Sequence, residues 1–332
     1  MKIRNICLVD TPYALLLFLL KMPMEEILHT KFITGFYLNK SITRKLPNNC
    51  VTFLIAFVEV DPKQLMKVRL TKLFKMSYIY AADIYAQDHL PFSAQIIGRR
   101  KYTLIADSPH YLTIQEGMIS QPFEYIMPKA TVKTYIKSFL AYYGTMYGRK
   151  YGTNNQCVNR WITTKDDLMT RYVKNRLCEY MDTEEMWQNS TQEKKDFIMQ
   201  VFNITSSVLE QCRQCTSILL TQPFQEDCGL TDNEYIDIYK PIISKYEHLI
   251  IKPHPREKFD FETHFPNAFV LRTYAPMQLL SYIGIVPKIG ITVCSTAISA
   301  LPETTKKVIL GSRIHPKILA TYGDYGDGTL NK

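Results

Sequence analysis

Short apolar runs recur near both ends of the chain and predict the strands of two sheets. In the first part these runs cover 3–9, 51–60, 77–84, 101–106 and 111–114. Thr11 followed by Pro12 predicts a capped helix directly after the first run. From residue 217 the runs return at 218–220, 249–251, 269–271, 288–293 and 307–310. Strands that alternate with helices indicate an α/β protein with open, mostly parallel sheets.

The segment between these two regions has a different pattern. Apolar residues from about 131 to 215 recur at helical spacing, as at Leu168, Tyr172, Leu177 and Met181. We therefore predict a first domain at 1–205 that carries a helical insertion at about 131–205, and a second domain at 206–332. A length of 332 residues is typical of two domains. The predicted architecture is two Rossmann-like domains facing each other across a cleft.

One stretch of the second domain concentrates the candidate catalytic residues. Gln222 and Pro223 follow the strand 218–220, and an acidic loop with Glu226, Asp227 and Asp232 comes next. The strand 249–251 runs into Lys-Pro-His-Pro-Arg, at 252–256. The carboxyl ends of neighbouring parallel strands line one crevice, so we expect the loops after both strands to meet there.

Asp227 and His254 would then converge on one cleft. A carboxylate and an imidazole in that arrangement suit a proton removed from one substrate oxygen and supplied to another. The prolines on both sides of His254, one of them Pro255, stiffen the loop and fix the direction of the ring. Lys252 and Arg256 flank the histidine and suit an anionic ligand.

Two further patterns follow predicted strands. Glu116 and Gly117 come directly after the run at 111–114, where a glycine permits a sharp turn and close approach of a substrate, or simply ends the strand. Ser295 and Thr296 stand at the predicted start of a helix. They fit either a phosphate site at the helix N-terminus or ordinary capping of that helix.

Composition and charge narrow the functional classes. A net charge of +9 favours anionic partners, but no run of Lys and Arg is long enough to indicate nucleic-acid binding. Eight scattered cysteines with a single Cys-x-x-Cys pair indicate a reducing compartment rather than a zinc site. Asp10 and Pro12 interrupt the first apolar stretch, so we predict a cytoplasmic protein and neither a signal peptide nor a membrane span. The sequence lacks a P-loop, a GxGxxG and a GxSxG motif.

Several segments resemble bacterial sialyltransferases of glycosyltransferase family 52, the lipooligosaccharide sialyltransferase family. The resemblance is carried by LLTQPFQED, by KPHPREKFDF and by the Ser-Thr pair after a late strand. The opening ICLVDTPYALL and the Gln-Glu-Gly at 115–117 also match that family's pattern. The likeness covers both ends of the chain and is weakest from about 130 to 215.

This resemblance implies a GT-B fold, a CMP-sialic acid donor, inversion at the anomeric carbon and no cofactor or catalytic metal. Asp227 would be the general base and His254 would protonate or hydrogen-bond the departing CMP phosphate, which Ser295 and Thr296 would hold. Gln222, Pro255, Arg256 and Gly117 would complete the substrate site. The implied partners are a glycan or glycolipid acceptor, an anionic membrane surface on the inner face of the cytoplasmic membrane, and a second copy of the chain.

Two departures from the family pattern leave the base open. The acidic-Gly motif has Gln115 at its first position, so Glu116 is an alternative to Asp227. The loop between Pro223 and His254 is longer than the family's usual spacing, and Asp232 is a third candidate. The alternative functions are a glycosyltransferase with another nucleotide-sugar donor and a non-catalytic nucleotide- or carbohydrate-binding protein of the same fold.

Overall fold

The computed structural model describes residues 2–35, 37–53, 62–88, 90–98, 100–106, 158–164 and 177–325. The chain divides into two compact units, Met1–Val201 and Phe202–Lys332. The predicted candidates Glu116 and Gly117 lie outside the described residues.

Within the described residues the first unit contains a seven-stranded sheet in the order β3-β2-β1-β4-β5-β6-β7. Its strands are β1 Asn5–Val9, β2 Thr30–Thr34, β3 Val51–Thr52, β4 Asp83–Ala86, β5 Tyr102–Ile105, β6 Val158–Thr164 and β7 Leu177–Met181. All neighbouring strands pair in parallel. The order 3-2-1-4-5 is that of a Rossmann-like fold, and the prediction of this fold class is confirmed for the first unit.

Helices connect and cover these strands. They span Pro12–Lys21, Met24–Leu28, Lys40–Thr43, Pro62–Lys75, Pro91–Ile97, Thr183–Gln188 and Gln192–Val201. The Thr11 hydroxyl accepts a hydrogen bond from the Ala14 amide and Pro12 begins the helix, as the sequence predicts. Tyr13 to Leu20 are all buried, so this helix forms part of the core.

Two predictions for the first unit are wrong. The run at 77–84 begins as a 3-10 helix, Ser77–Tyr80, and the strand β4 starts only at Asp83. The segment at about 131–205 is not purely helical, because β6 and β7 lie in it and extend the sheet. Spacings of four residues, such as that between Leu177 and Met181, place both residues on one face of a helix and equally on one face of a strand. The helical interpretation of this segment rested on that ambiguous spacing.

The second unit contains a five-stranded parallel sheet in the order β10-β9-β8-β11-β12 among the described residues. The strands are β8 Ser217–Leu220, β9 Leu249–Lys252, β10 Phe269–Val270, β11 Ile289–Thr292 and β12 Lys306–Ile309. Each lies within or beside an apolar run of the sequence, and the Rossmann-like prediction is confirmed here too. Every residue of β8 and β9 is buried, as expected for central strands of a sheet covered on both faces.

The helices of this unit span Ser206–Arg213, Phe224–Cys228, Asp232–Lys245, Phe261–His264, Met277–Tyr282 and Pro316–Tyr322. On one face of the sheet an aromatic cluster joins helices to strands, with Tyr235 and Tyr239 packed among the rings of Phe224, Phe259 and Phe261. In the described part of the chain every helix is too short or too polar to cross a bilayer.

Candidate functional site

The candidate site lies at the carboxyl edge of the second sheet. Strand β8 is flanked by β9 on one side and by β11 on the other, so the strand order reverses at β8 and β11. Ligands of doubly wound sheets bind in the crevice at such a reversal. The loops that meet at this edge carry Gln222, His254 and Ser295, each a few residues past the end of its strand.

The predicted acidic loop after β8 is a short helix, Phe224–Cys228, and the expectation of an irregular loop is wrong. The helix ends at Gly229, whose φ of +66° is the left-handed conformation that glycine adopts without strain. Asp227 lies in this helix, whereas Asp232 is exposed in the first turn of the next one and accepts a hydrogen bond from Gln225 Nε2 at 2.5 Å.

Asp227 is held by two side chains from distant parts of the sequence. Both of its oxygens accept hydrogen bonds from the Arg256 guanidinium, at 2.9 Å each, in a bidentate pair. The Tyr322 hydroxyl donates a third bond to Oδ2 at 2.7 Å. Partial burial raises the pKa of Asp227, but the bonds and charge of Arg256 and the Tyr322 bond outweigh it and leave the pKa below its ordinary value. Asp227 is therefore an ionised carboxylate at neutral pH.

The segment His254 to Glu257 forms a turn that is closed by its own side chains. The Glu257 amide donates to the His254 carbonyl at 2.9 Å, and the His254 amide donates to Glu257 Oε2 at 2.9 Å. The Arg256 amide donates to His254 Nδ1 at 3.2 Å. This reciprocal pattern resembles the capping box of a helix, with histidine in place of serine or threonine and Pro255 at the position where its missing N–H costs nothing.

The turn fixes the tautomer of His254. Because Nδ1 accepts the Arg256 amide bond, the proton of the neutral ring lies on Nε2. Burial and the charges of Arg256 and Lys252 lower the pKa of His254 to about 4, against the opposing charge of Asp227. At neutral pH the ring is therefore uncharged and can donate its Nε2–H to an anion.

Glu257 links the His254 turn to the residue after β8. No role for it was predicted from the sequence. Its Oε2 accepts hydrogen bonds from the Thr221 hydroxyl and the His254 amide, while its Oε1 is buried without a partner among the described residues. The residue is 7% exposed. Burial raises the pKa of Glu257 to about 8. The contact between Thr221, immediately after β8, and Glu257, in the turn after β9, adds to the Arg256–Asp227 pair in holding these two loops together.

The remaining predicted residues surround this turn. Ser295 is 5% exposed and caps the 3-10 helix Thr296–Ala300, with its hydroxyl 3.4 Å from the Ala297 amide. Of the two roles predicted for Ser295, phosphate binding and helix capping, the structure shows the contact that capping requires. Thr296 and Pro255 are exposed. The Gln222 carbonyl accepts the Tyr235 hydroxyl at 2.9 Å, which ties the β8 loop to the aromatic cluster.

Asp227 and His254 are joined through Arg256, which contacts the first with its guanidinium and the second with its amide. Each also affects the pKa of the other. The structure therefore brings together the carboxylate and the imidazole that the sequence predicted to converge. Asp232 is not part of this group. The described residues contain no cluster of three or more His, Cys, Asp or Glu that could hold a metal ion, and the predicted metal independence stays a prediction.

The sequence of the chain matches the family model described as Glycosyltransferase family 52 over residues 42–318. The chain belongs to glycosyltransferase family 52. This confirms the resemblance carried by the QPFQED and KPHPRE segments, both of which lie inside the matched region. A relative from Haemophilus influenzae, described as an uncharacterized protein, is 37% identical over 169 residues. That match covers 50% of this chain and only 55% of the relative.

A solved structure of a bacterial sialyltransferase shares the fold. An α/β-galactoside α-2,3-sialyltransferase from Photobacterium phosphoreum matches with a TM-score of 0.52 and 11% identity, over 92% of this chain and 90% of that one. A sialyltransferase from Photobacterium damsela matches with a TM-score of 0.48 and 12% identity, over 96% and 79%. At this identity the likeness concerns the fold, and the prediction of a GT-B type fold built from two Rossmann-like domains is confirmed.

Proposed function

We propose that the chain is a sialyltransferase that moves sialic acid from CMP-sialic acid to a terminal galactose of a surface glycan, with inversion and without a catalytic metal. The observation that carries the proposal is the contact of Arg256 with both Asp227 and His254 at the carboxyl edge of the second sheet. Membership of glycosyltransferase family 52 supports the reaction class, and the fold shared with bacterial sialyltransferases is consistent with it.

In this proposal Asp227 accepts the proton of the acceptor hydroxyl as its oxygen attacks the anomeric carbon of sialic acid. The bond from that carbon to the CMP phosphate oxygen breaks, and the phosphate leaves with additional negative charge. The Nε2–H of His254 donates to the departing phosphate, which is the direction that the tautomer fixed by Arg256 allows. Stabilisation of charge as it develops in the transition state supplies much of the rate increase in such reactions.

The other predicted residues take supporting roles in the same scheme. Ser295 and Thr296 would hold the leaving phosphate, and Gln222, Pro255 and Arg256 would line the nucleotide site. Asp232 and Glu116 with Gly117 are the alternative positions for the base. A glycolipid acceptor beside an anionic membrane suits the net charge of +9.

Donor hydrolysis and transfer assays test the proposal directly. Purified protein is incubated with CMP-sialic acid and with a panel of UDP- and GDP-sugars, with lactose as the acceptor. We expect the protein to consume CMP-sialic acid and none of the other donors. If it consumes only a UDP- or GDP-sugar, it is a glycosyltransferase for that sugar and not a sialyltransferase. A protein that neither binds nor consumes any of the donors would exclude a transferase.

Point variants then assign the roles. We expect Asp227→Ala and His254→Ala each to lower kcat by about 100-fold or more, the usual contribution of a general base or acid. Asp237→Ala is the matched control, because Asp237 is exposed on the helix Asp232–Lys245 and should leave kcat unchanged. Full turnover in His254→Ala would remove His254 from the mechanism. Full turnover in Asp227→Ala together with a large loss in Glu116→Ala or Asp232→Ala would move the base to that residue.

A further inference from the structure

Lys252 is a largely buried lysine whose ammonium group is not paired with any residue that the structure describes. It is the last residue of β9 and only 9% exposed. Its backbone carbonyl accepts the Thr221 amide, but its Nζ makes no hydrogen bond or ion pair with any residue that the structure describes. Burial lowers the pKa of Lys252 to about 8, so the group still carries its charge at neutral pH. The side chain is largely buried, but Nζ is not one of the fully buried polar atoms without a hydrogen-bond partner, so the ammonium group keeps contact with solvent.

Lys194 in the first unit is a comparably buried lysine whose ammonium group has a partner. It is 8% exposed, and its Nζ donates to the Leu20 carbonyl at 2.6 Å, close to the C-terminus of the helix Pro12–Lys21. The carbonyls at a helix C-terminus attract a cation. The ammonium group of Lys194 is therefore paired within the fold, whereas that of Lys252 makes no hydrogen bond or ion pair in the described part of the chain.

The position of Lys252 connects it to the candidate site. Successive residues of a strand face opposite sides of the sheet, and Ile251 belongs to the aromatic core cluster, so Lys252 faces the other side. It lies opposite Leu220, the last residue of β8, and two residues before His254. The positive charge of Lys252 reaches His254, where it helps to lower the pKa of the imidazole.

We propose that Lys252 is a binding residue for an anionic group of the nucleotide-sugar donor, and that this anion supplies a counter-ion that the described residues do not. The inference rests on the proposed function. It assigns Lys252 a direct role in recognition of the donor rather than a role in folding. Oxyanions of two sources share the required chemistry, the phosphate of CMP and the carboxylate of sialic acid, and binding experiments distinguish them.

Neutralisation of Lys252 also changes the state of His254. The charged and titratable groups that act on the ring are Lys252, Arg256 and Asp227, together with Glu257 on the His254 amide. Two of these are cations that oppose protonation of the imidazole. An anion bound between them raises the pKa of His254. A larger fraction of the imidazole then carries a second proton, which it can give to the leaving phosphate, when the nucleotide-sugar is bound.

Binding to the Lys252→Met variant is the first part of the test. Methionine keeps the length and burial of the side chain and removes the charge. By titration calorimetry we expect CMP to bind about tenfold or more weakly to this variant than to the wild type, while cytidine, which has no phosphate, binds equally to both. Lys240→Met removes one positive charge from an exposed site on the helix Asp232–Lys245 and should leave CMP binding unchanged.

A second outcome would assign the carboxylate. If CMP binds equally to wild type and Lys252→Met but CMP-3-fluorosialic acid, an intact donor analogue, binds more weakly to the variant, Lys252 recognises sialic acid. Equal affinities for both ligands would overturn the proposal while the proposed function stands. A wild-type protein that binds neither ligand would instead contradict the proposed function itself.

The stability of the ligand-free variants separates recognition from folding. Because Lys252 has no partner to lose, we expect Lys252→Met to unfold at the same temperature as the wild type or at a higher one. Lys194→Met removes a satisfied group and should unfold at a lower temperature. A lowered Tm for Lys252→Met comparable with that of Lys194→Met would mean that Lys252 supports the fold, and it would overturn the assignment.

Titration of His254 by NMR is the direct readout of the coupling. Imidazole resonances of the seven histidines are followed against pH, and His254→Gln assigns the signal. We expect the pKa of His254 to be higher in ligand-free Lys252→Met than in the wild type. We also expect CMP to raise it more in the wild type than in the variant. An unchanged His254 titration in Lys252→Met would show that the two groups are independent and would overturn the coupling.

Discussion

Replacement of Glu257 with glutamine should remove a pH dependence from the folding stability of the second unit. Burial raises the pKa of this carboxyl to about 8 from an ordinary value of 4.5, and the charge of Glu226 adds to the effect. Hydrogen bonds from the Thr221 hydroxyl and the His254 amide act in the opposite direction and are too weak to offset burial. The folded protein therefore binds a proton at Glu257 that the unfolded chain has already released.

The sign and size follow from proton linkage. Between pH 4.5 and pH 8 the folded state binds more protons than the unfolded state, so the free energy of unfolding falls as the pH rises. With the two pKa values given, the loss attributable to Glu257 between pH 6 and pH 9 is about 3 kcal/mol. In Glu257→Gln the carbonyl oxygen can keep both hydrogen bonds. The amide nitrogen then occupies the buried position of Oε1, which has no partner among the described residues, at a cost of about 1–3 kcal/mol that does not depend on pH.

Urea unfolding of wild type and Glu257→Gln at pH 6 and pH 9 measures the difference. Near-UV circular dichroism is a suitable probe because Tyr235 and Tyr239 pack in the aromatic cluster of this unit. We expect the variant to have a lower free energy of unfolding than the wild type at pH 6. Between pH 6 and pH 9 the difference should change by about 3 kcal/mol in favour of the variant. Glu247→Gln, an exposed change in the same unit, is the control. A stability difference between wild type and Glu257→Gln that is equal at both pH values would refute the reasoning.

Two further changes test other contacts. Thr11→Ala removes the cap of the helix Pro12–Lys21 and an acceptor for the buried Gln87 amide, and thermal unfolding should show a loss of about 1 kcal/mol that Thr11→Ser largely avoids. Tyr322→Phe removes one hydrogen bond from Asp227 and should raise its pKa, so the acidic limb of the pH profile of the proposed sialyl transfer should move to higher pH. An unchanged acidic limb would mean that Asp227 is not the group that titrates there.

The strands of the second sheet were predictable because their signal is local. A central parallel strand is buried on both faces, so its sequence is a nearly continuous apolar run. The strands Ser217–Leu220 and Leu249–Lys252 show this pattern. The run at 158–164 is harder to recognise, because Val-Asn-Arg-Trp-Ile-Thr-Thr mixes polar and apolar residues and lies beside segments with helical spacing. A spacing of four residues is compatible with both kinds of element, and the pairing of β6 with β5 is a long-range contact that no local pattern contains.

The candidate site was predictable in part for the same reason. Asp227 and His254 follow strands that the sequence identifies, and parallel topology brings such residues to one edge. The short helix that holds Asp227 had one available signal, Gly229 in the left-handed position after its last turn. No sequence signal indicated the role of Glu257. That role depends on a contact with Thr221, 36 positions away in sequence, and on burial of its carboxyl group in a turn whose sequence is polar.

The contacts of Asp227 also bear on how it could serve as a base. Its bidentate pair with Arg256 lowers its pKa and so makes it a weaker proton acceptor, while Arg256 and Lys252 together make His254 harder to protonate. Both effects come from cations that lie next to the site of the proposed anionic donor. A bound oxyanion that draws Arg256 away from Asp227 and neutralises Lys252 would raise the pKa of Asp227 and the pKa of His254 together. Asp227 would then be a stronger base, and more of His254 would be protonated. The ion pair of Asp227 with Arg256 is then consistent with the proposed role of Asp227, and the His254 titration with and without CMP measures one half of this coupling directly.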